Sequence, residues 1–244
     1  MYAVQFSPCG RFVASGSFDK TVRIWDSMTP TELKRFEKHT LCVSDVSWSS
    51  DSSMLLSGGL DGTCTLWDVE AGKPISTHRV DGFVQCCLLS TVDSNIFFCG
   101  TSRKSLCMFD RRSGAGAAPQ VTHNDSPVNT MCVFLPPFLL NQRSLMGCKR
   151  YLSMDGAHAI TGDGGGAVKT WDVRVGRAVH WFYNENGRKP ISHVHASRRA
   201  NGALFHVFFD TFLFCFCSFL IILPSLSVHL SHSSLPILIF CLCR

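Results

Sequence analysis

The residues with the clearest chemical potential in this chain are its 13 cysteines and 10 histidines. Such residues could form disulfides or bind zinc, which needs ligands at short, regular spacings such as Cys-x-x-Cys. No such spacing occurs: Cys86 and Cys87 are adjacent, Cys215 and Cys241 each begin a Cys-x-Cys pair, and the others are isolated. Several of the isolated cysteines lie in apolar runs, where a free thiol packs as a small hydrophobic side chain. We therefore expect reduced cysteines, no metal and a reducing compartment.

Two further segments could support catalysis, but both lack essential partners. Gly162–Ala167 (GDGGGA) is glycine-rich like a phosphate-binding loop, yet it has no Gly-Lys-Ser/Thr ending. His193 and His195 have no cysteine or aspartate at a catalytic spacing. The net charge of +5 is mild, and no run of five or six like charges indicates a nucleic-acid-binding tail. The sequence predicts a protein that is not an enzyme and needs no cofactor.

A repeated segment that ends in an aromatic residue followed by aspartate organises the first 180 residues. Its four copies are TVRIWD (Thr21–Asp26), TCTLWD (Thr63–Asp68), SLCMFD (Ser105–Asp110) and AVKTWD (Ala167–Asp172). A second apolar strand lies ten residues ahead of each aromatic, a short polar turn joins the two, and a third strand precedes them. Short strands with turn signals at a period of ~40–45 residues are typical of an all-β propeller.

The pattern resembles the WD-repeat family. In that family a His, a Ser or Thr, an Asp and a Trp form a buried hydrogen-bond relay within each blade. The resemblance implies that His39, Ser57, Asp61 and Trp67 form this relay in the second repeat. Buried polar groups of this kind must satisfy one another, and a closed network makes the hairpin rigid.

The other repeats keep parts of the relay. The retained members are Ser15, Asp19 and Trp25 in the first repeat and His123, Thr161 and Trp171 in the fourth. Gly165 stands where the fourth aspartate belongs, and the third repeat has Cys99, Arg103 and Phe109, so its relay is lost.

The domain organisation departs from a regular propeller in two segments. We expect a WD-repeat fragment over residues 1–200, with about four blades and the start of a fifth at Ala178–Arg199, in an incomplete chain. An insertion at 134–150 accounts for the longer third interval. Residues 203–244 form a hydrophobic, low-complexity tail. Both segments have the composition of translated intron. The alternative is that the tail contains a membrane-spanning helix. Pro224, which would interrupt the helix, and the lack of closely flanking basic residues argue against this alternative.

Basic residues after the repeat aromatics are the candidate contacts with partners. In WD-repeat substrate receptors of cullin-RING ubiquitin ligases, an aromatic-Asp-x-Arg motif contacts the ligase adaptor, and the resemblance implies this role for Arg112 and Arg174. The alternative is that these arginines only solvate a blade edge. Arg103 and Lys104 could touch RNA phosphates, weakly or indirectly, but a solvated turn explains them equally.

The third and fourth repeats are also similar to those of the group that comprises pre-mRNA-processing factor 17 and WD repeat-containing protein 25. The similarity lies in NIFFCGTSRKSLCMFDRRSG followed by HNDSPVNTMCVF. It implies a non-catalytic scaffold for protein or ribonucleoprotein assembly in pre-mRNA splicing. The alternatives are a ubiquitin-ligase substrate receptor and a membrane-tethered scaffold. The expected location is nuclear or cytoplasmic, with membrane anchoring only through residues 203–244.

Overall fold

The computed structural model describes residues 3–91, 93–113, 118–133, 158–172, 175, 177–183, 190–199 and 202–209. Within these residues the chain forms 18 β-strands and one 3-10 turn at Arg111–Ser113, and no α-helix. No helix in this part of the chain is long and apolar enough to cross a membrane.

The strands form four antiparallel sheets of four strands each, followed by a two-stranded sheet. The first sheet contains β1 (Ala3–Phe6), β2 (Phe12–Gly16), β3 (Thr21–Asp26) and β4 (Glu32–Glu37). The second contains β5 (Val43–Trp48), β6 (Met54–Gly59), β7 (Thr63–Asp68) and β8 (Lys73–Arg79). The third contains β9 (Val84–Leu89), β10 (Ile96–Thr101), β11 (Ser105–Asp110) and β12 (Gln120–His123). The fourth contains β13 (Val128–Val133), β14 (His158–Asp163), β15 (Ala167–Asp172) and β16 (Arg177–Tyr183), and the last pairs β17 (Ile191–Arg199) with β18 (Gly202–Phe209).

Consecutive sheets are the blades of a β-propeller. Each sheet runs in chain order, and the first strands of successive sheets contact one another, so these strands lie nearest the axis. The all-β propeller that the repeat pattern predicts is therefore the observed fold.

A glycine near the end of each second strand lets the next blade approach closely. A Cβ built on Gly58 would lie 2.5 Å from Cγ1 of Val84, the first residue of the next inner strand. The same contact joins Gly16 to Val43, Gly100 to Val128 and Gly162 to Ile191. Because Ile191 takes the same place as the three valines, β17 is the inner strand of the fifth blade.

Polar side chains on the inner strands bind the backbone of the neighbouring inner strand. Asp45 accepts a hydrogen bond from the Cys87 N–H (2.8 Å), and Ser47 accepts one from the Leu89 N–H (3.0 Å). Between the fourth and fifth blades, Thr130 accepts a hydrogen bond from the Val194 N–H (3.3 Å). These bonds satisfy backbone groups that no strand ladder reaches.

Aromatic rings on the outer strands fill the first two junctions between blades. Phe36 on β4 stacks on Trp67 of the second blade, with ring centroids 4.8 Å apart. His78 on β8 packs against Phe109 of the third blade at 4.9 Å and against Phe97 at 5.3 Å. The outer strand of one blade thus seals the apolar face of the next.

Several boundaries differ from the sequence expectations. Each of the four sheets has a fourth, outer strand that the three-strand pattern omits. The segment expected to begin a fifth blade at Ala178 instead belongs to β16 of the fourth blade, and the fifth begins at Ile191. Residues 202–209, at the start of the expected tail, form β18. The insertion at 134–150 and residues 210–244 lie outside the described residues, although β13 and β14 on either side of the insertion pair directly, with Val133 opposite Ala159.

Candidate functional site

The second blade contains a continuous hydrogen-bond relay that joins two of its strands, the turn between them and the loop that enters the blade. Trp67 Nε1 on β7 donates to Ser57 Oγ on β6 at 2.8 Å. Ser57 Oγ lies 2.8 Å from His39 Nε2, in the loop after β4, and His39 Nδ1 lies 3.1 Å from Asp61 Oδ2 in the turn before β7. The structure therefore brings together all four residues that the resemblance assigns to this relay.

The protonation states of His39 and Asp61 follow from their surroundings. Burial is the main influence on His39 and lowers its pKa below 6.5, against the opposing attraction of Asp61. Burial also acts to raise the pKa of Asp61, but hydrogen bonds from Thr63 and from the Thr40 N–H outweigh it and the pKa is lowered. Neutral His39 therefore donates from Nδ1 to the Asp61 carboxylate and accepts the Ser57 hydroxyl at Nε2.

The Ser57–His39–Asp61 arrangement has the connectivity of a hydrolytic triad, but it cannot act as one. The Ser57 side chain is fully buried, and its oxygen already accepts the Trp67 N–H. A nucleophile must reach a substrate carbonyl, and this hydroxyl has no route to one. The relay is structural.

The first blade keeps two separate parts of the relay. Trp25 Nε1 donates to Ser15 Oγ at 2.9 Å. Asp19 binds Thr21 Oγ1 at 2.6 Å and pairs with the Arg23 guanidinium at 2.6 Å. In the described part of this blade, Ser15 is therefore hydrogen-bonded to Trp25, while Asp19 binds residues of its own turn and does not connect to that pair.

The fourth blade replaces two members of the relay. His123 is exposed on β12, and the next residue, Asn124, occupies the position equivalent to His39, four residues before the first valine of the inner strand. Asn124 Nδ2 donates to Asp163 Oδ2 at 3.0 Å. The assignment of His123 to the relay is therefore corrected to Asn124.

Asp163 supplies the carboxylate that Gly165 lacks. Asp163 lies in β14 opposite Val128, and Gly59 takes the equivalent position in the second blade, opposite Val43. A Cβ built on Gly59 would lie 2.5 Å from His39 Nδ1. A side chain at this position therefore points to the place where, in the second blade, His39 contacts Asp61. Its Oδ1 accepts the N–H groups of Gly165 and Ala167, both at 2.9 Å, so the turn is held as Asp61 holds its own.

The fourth relay is nevertheless interrupted between its two halves. Trp171 Nε1 donates to Thr161 Oγ1 at 2.8 Å, as the sequence resemblance implies. Asn124 Oδ1, however, is buried without a hydrogen-bond partner among the described residues. The short amide reaches Asp163 but does not bridge to Thr161 as an imidazole would.

The third blade fills the same space with apolar groups. Cys99 and Phe109 occupy the positions of Ser57 and Trp67, and both are buried in one cluster with Phe97. Val80 takes the position of His39 and packs against that cluster. Because these relay positions carry no polar side chain that needs a partner, apolar packing takes the place of the relay in this blade.

Neither metal binding nor disulfides explain the cysteines that the structure describes. The cysteines whose side chains the structure describes are free thiols: Cys9, Cys42, Cys64, Cys86, Cys87, Cys99 and Cys107. In the described part of the chain, no three His, Cys, Asp or Glu side chains form a group that could hold a metal ion. Burial raises the pKa of Cys86 and Cys87 well above its usual value, so both remain protonated and apolar in character.

Three large apolar side chains are exposed at the same end of the propeller. We call Phe18, Leu41 and Phe83 the top-face patch; they are 46% to 68% exposed. Phe18 lies in the turn between β2 and β3, and the other two lie in loops that enter the inner strands β5 and β9. Because strands in these sheets alternate in direction, such turns and loops meet at the same end of the molecule.

Backbone hydrogen bonds hold the loops of the top-face patch in place. The Val43 N–H donates to the Ser17 carbonyl at 3.0 Å and joins the second blade to the turn of the first. The Phe83 N–H donates to Ser102 Oγ, and the Ser102 N–H donates to the Phe83 carbonyl, both at 3.0 Å. The exposed side chains are therefore presented on a fixed framework.

Arg103 and Lys104 lie in the turn beside Phe83, at the same end. Both are exposed, and Lys104 has a φ of 65°, which a tight turn requires. The stem of Arg103 lies against Gly82, where a Cβ would come within 2.5 Å of Arg103 Cγ. The two basic groups thus border the top-face patch.

Arg112 lies at the opposite end of the third blade and is engaged by its own chain. It pairs with Asp110 at 2.8 Å and with Asp93 at 3.0 Å, and its side chain is 58% exposed. The hydrogen bond from Arg112 lowers the pKa of Asp110. Arg174 lies outside the described residues, so the structure does not place the two arginines relative to each other.

Comparison with known proteins identifies the repeats. The family described as WD domain, G-beta repeat, matches residues 1–26 and 30–68. The second match spans β4 to β7, so this sequence repeat begins with the outer strand of the preceding blade. The chain is a β-propeller, and its first two blades contain WD repeats.

The chain is similar in sequence to parts of several curated proteins and in fold to one solved structure. The chain is 36% identical over 99 residues to nuclear distribution protein PAC1 of Arthroderma benhamiae, covering 36% of this chain and 22% of that protein. It is 24% identical over 168 residues to the U3 small nucleolar RNA-associated protein 15 homolog of Xenopus laevis, covering 68% and 28%. The Cps50 (Swd1) β-propeller domain of Myceliophteria thermophila superposes with a TM-score of 0.68 at 19% identity, covering 84% of this chain and 62% of that one. The chain thus spans less than a third of the length of these two curated relatives.

Proposed function

We propose that this chain is a non-catalytic WD-repeat platform that binds partner proteins through its top face during ribonucleoprotein assembly. The top-face patch carries this proposal. Three large apolar side chains exposed on rigid loops resemble the well-ordered anchors on which protein interfaces depend. A fixed backbone also lowers the ordering cost of binding.

The charges beside the patch favour an acidic partner. Arg103 and Lys104 border Phe83, and complementary charge speeds association and selects among partners. Direct RNA binding is weaker as a proposal, because two adjacent cations offer few phosphate contacts.

The process we propose is pre-mRNA splicing, in the nucleus. The similarity of the third and fourth repeats to the group of pre-mRNA-processing factor 17 and WD repeat-containing protein 25 supports it. The relation to a U3 small nucleolar RNA-associated protein supports the broader class of ribonucleoprotein assembly.

A second candidate is a substrate receptor of a cullin-RING ubiquitin ligase. The exposed fraction of Arg112 favours it, since a planar guanidinium on a blade edge can bind acceptors of an adaptor protein. Against it, two carboxylates of this chain already occupy much of that guanidinium.

Affinity purification of the full chain from nuclear extract, followed by mass spectrometry, tests the proposal. A variant with Phe18, Leu41 and Phe83 all changed to Ala should lose spliceosomal proteins and ribonucleoprotein components. Met28→Ala is the matched control, because Met28 is 86% exposed in the loop between β3 and β4, at the opposite end. An unchanged set of partners in the triple variant would refute the top-face proposal, and a ligase adaptor lost specifically in Arg112→Ala would favour the receptor.

A further inference from the structure

The junction between the third and fourth blades lacks the outer-strand ring that fills each of the first two junctions. In each of the first three blades, one residue of the outer strand lies opposite the residue three positions before the repeat aromatic. These opposed pairs are Phe36 with Val22, His78 with Cys64, and Thr122 with Leu106. Thr122 therefore takes the position of Phe36 and His78. Its small side chain leaves the Trp171 indole without a stacked ring from β12.

A groove of about 560 Å³ lies at this junction. Thr122 and Trp171 both line it, together with Val121 from β12 and Trp181 and Tyr183 from β16. Trp181 and Tyr183 are exposed and stand two residues apart, so they share one face of the strand. The groove is thus an open, aromatic-walled space at a position that an outer-strand ring closes in the first two junctions.

The groove also carries a nearly buried positive charge. Lys169 lies directly opposite Trp181 in the sheet, and its side chain is 9% exposed. Its ammonium pairs at 2.6 Å with Asp125, whose carboxylate is 81% exposed and turned to solvent. Arg177 adds a second, exposed cation to the lining, so the two basic groups outnumber the single aspartate.

We propose that this groove binds an extended segment of a partner protein that carries an aromatic side chain next to acidic residues. The aromatic ring occupies the space left by Thr122 and packs against Trp171 and Trp181. The acidic residues approach the exposed Arg177 and the ammonium of the nearly buried Lys169, since charge-assisted hydrogen bonds to such cations are stronger than neutral ones. The groove shares no residue with the top-face patch, so this proposal stands apart from the proposed function.

A labelled peptide tests the proposal on the full chain. The probe is a short fluorescein-labelled peptide with one phenylalanine flanked by glutamates, and its controls replace the phenylalanine by alanine or the glutamates by lysines. We expect saturable anisotropy for the first peptide, at least tenfold weaker binding for both controls, and weakening with added salt. Equal binding of all three peptides would overturn the proposal.

Two variants locate the binding. Thr122→Phe places a phenyl ring of the chain itself in the space that the peptide's aromatic side chain would occupy. It should therefore reduce peptide affinity at least tenfold while raising the midpoint of thermal unfolding. Trp181→Ala should also reduce affinity tenfold, while Ile75→Ala, an exposed apolar change on the outer strand β8, should leave it unchanged. Undiminished binding in Thr122→Phe or, if that variant does not fold, in Trp181→Ala would refute the assignment.

Two other occupants give distinct results. If a uridine-rich RNA oligonucleotide binds in place of the peptide and is lost in Trp181→Ala, the groove is a nucleic-acid site and the proposal is wrong. If sedimentation shows a wild-type dimer that Thr122→Phe converts to monomer, a second copy of the chain fills the groove and the proposal is equally wrong. If Thr122→Phe still binds the partners of the top-face patch, either of these results refutes only the groove proposal and leaves the proposed platform function intact.

Discussion

The space around the repeat aromatic is filled in different ways in three of the four blades. His39 and Asp61 form a complete polar relay, Asn124 and Asp163 form a split one, and Val80 and Cys99 form none. In each of these three blades, most of the side chains around the repeat aromatic are either hydrogen-bonded to one another or apolar. A buried polar network is stabilising only when its members are satisfied, which explains why substitutions here occur in sets.

The lowered pKa of His39 predicts a pH dependence of stability. The unfolded chain takes up a proton at His39 as the pH falls through 6.5, whereas the folded chain resists it. The free energy of unfolding should therefore decrease as the pH falls below 6.5. His39→Asn should reduce this slope and, at pH 7.5, lower stability by about 1–3 kcal/mol, because the Ser57 hydroxyl loses its close acceptor on His39 and keeps only the Thr65 carbonyl at 3.4 Å.

Urea unfolding of wild type and His39→Asn between pH 5 and 8 measures both effects. Burial also lowers the pKa of His78, so some slope should remain in the variant. Equal slopes in the two proteins would contradict the assigned role of His39.

At the scale of elements, the closest contact between blades is the one from the second strand of a blade to the next inner strand. Gly58→Ala places a Cβ 2.5 Å from Val84 Cγ1, so the inner strand must shift. We expect a loss of about 1–3 kcal/mol in the free energy of unfolding, as for overpacked cores. Val84→Ala should restore part of that loss in the double variant.

Gly164→Ala is the control for this substitution. The nearest atoms to a Cβ at Gly164 lie 3.8 Å away, an ordinary contact, so stability should change by no more than about 0.5 kcal/mol. Chemical denaturation of the variants measures the difference. A similar loss at both glycines would show that the contact with Val84 is not the cause.

The elements that sequence reasoning found and missed differ in how much apolar surface they bury. The second and third strands are predicted closely, because their Gly and aromatic-Asp ends recur at a fixed spacing. The outer strands escape the sequence pattern because residues such as those of β4 are almost all exposed and have no apolar period. Residue type alone favours His123 for the relay, whereas the spacing to Val128 favours Asn124. The role of Asp163 and the gap at Thr122 depend on registers between strands, which only the fold supplies.

At the scale of the whole molecule, the junctions between blades are unequal. Rings from β4 and β8 close the first two junctions, and the groove opens the third. Hydrogen exchange should therefore be faster in β16 than in β8, because regions with fewer buried contacts open at lower free energy. Exchange followed by mass spectrometry resolves these strands, and Thr122→Phe should slow the exchange of β16. Equal protection in β8 and β16 would contradict this order.

The inner strands have a further consequence for how such a molecule can change over evolution. The contact between a glycine and a branched residue recurs at all four described junctions, so it would survive if one blade were exchanged for another. The polar bonds between inner strands also recur in position, although the accepting residue changes. Asp45 and Thr130 accept from the N–H three residues after the start of the next inner strand, and Gln5 and Ser47 accept from the N–H five residues after it. Because the donors are backbone groups, these contacts do not depend on the side chains of the incoming blade. A blade that is duplicated or exchanged therefore meets a neighbour able to bind it.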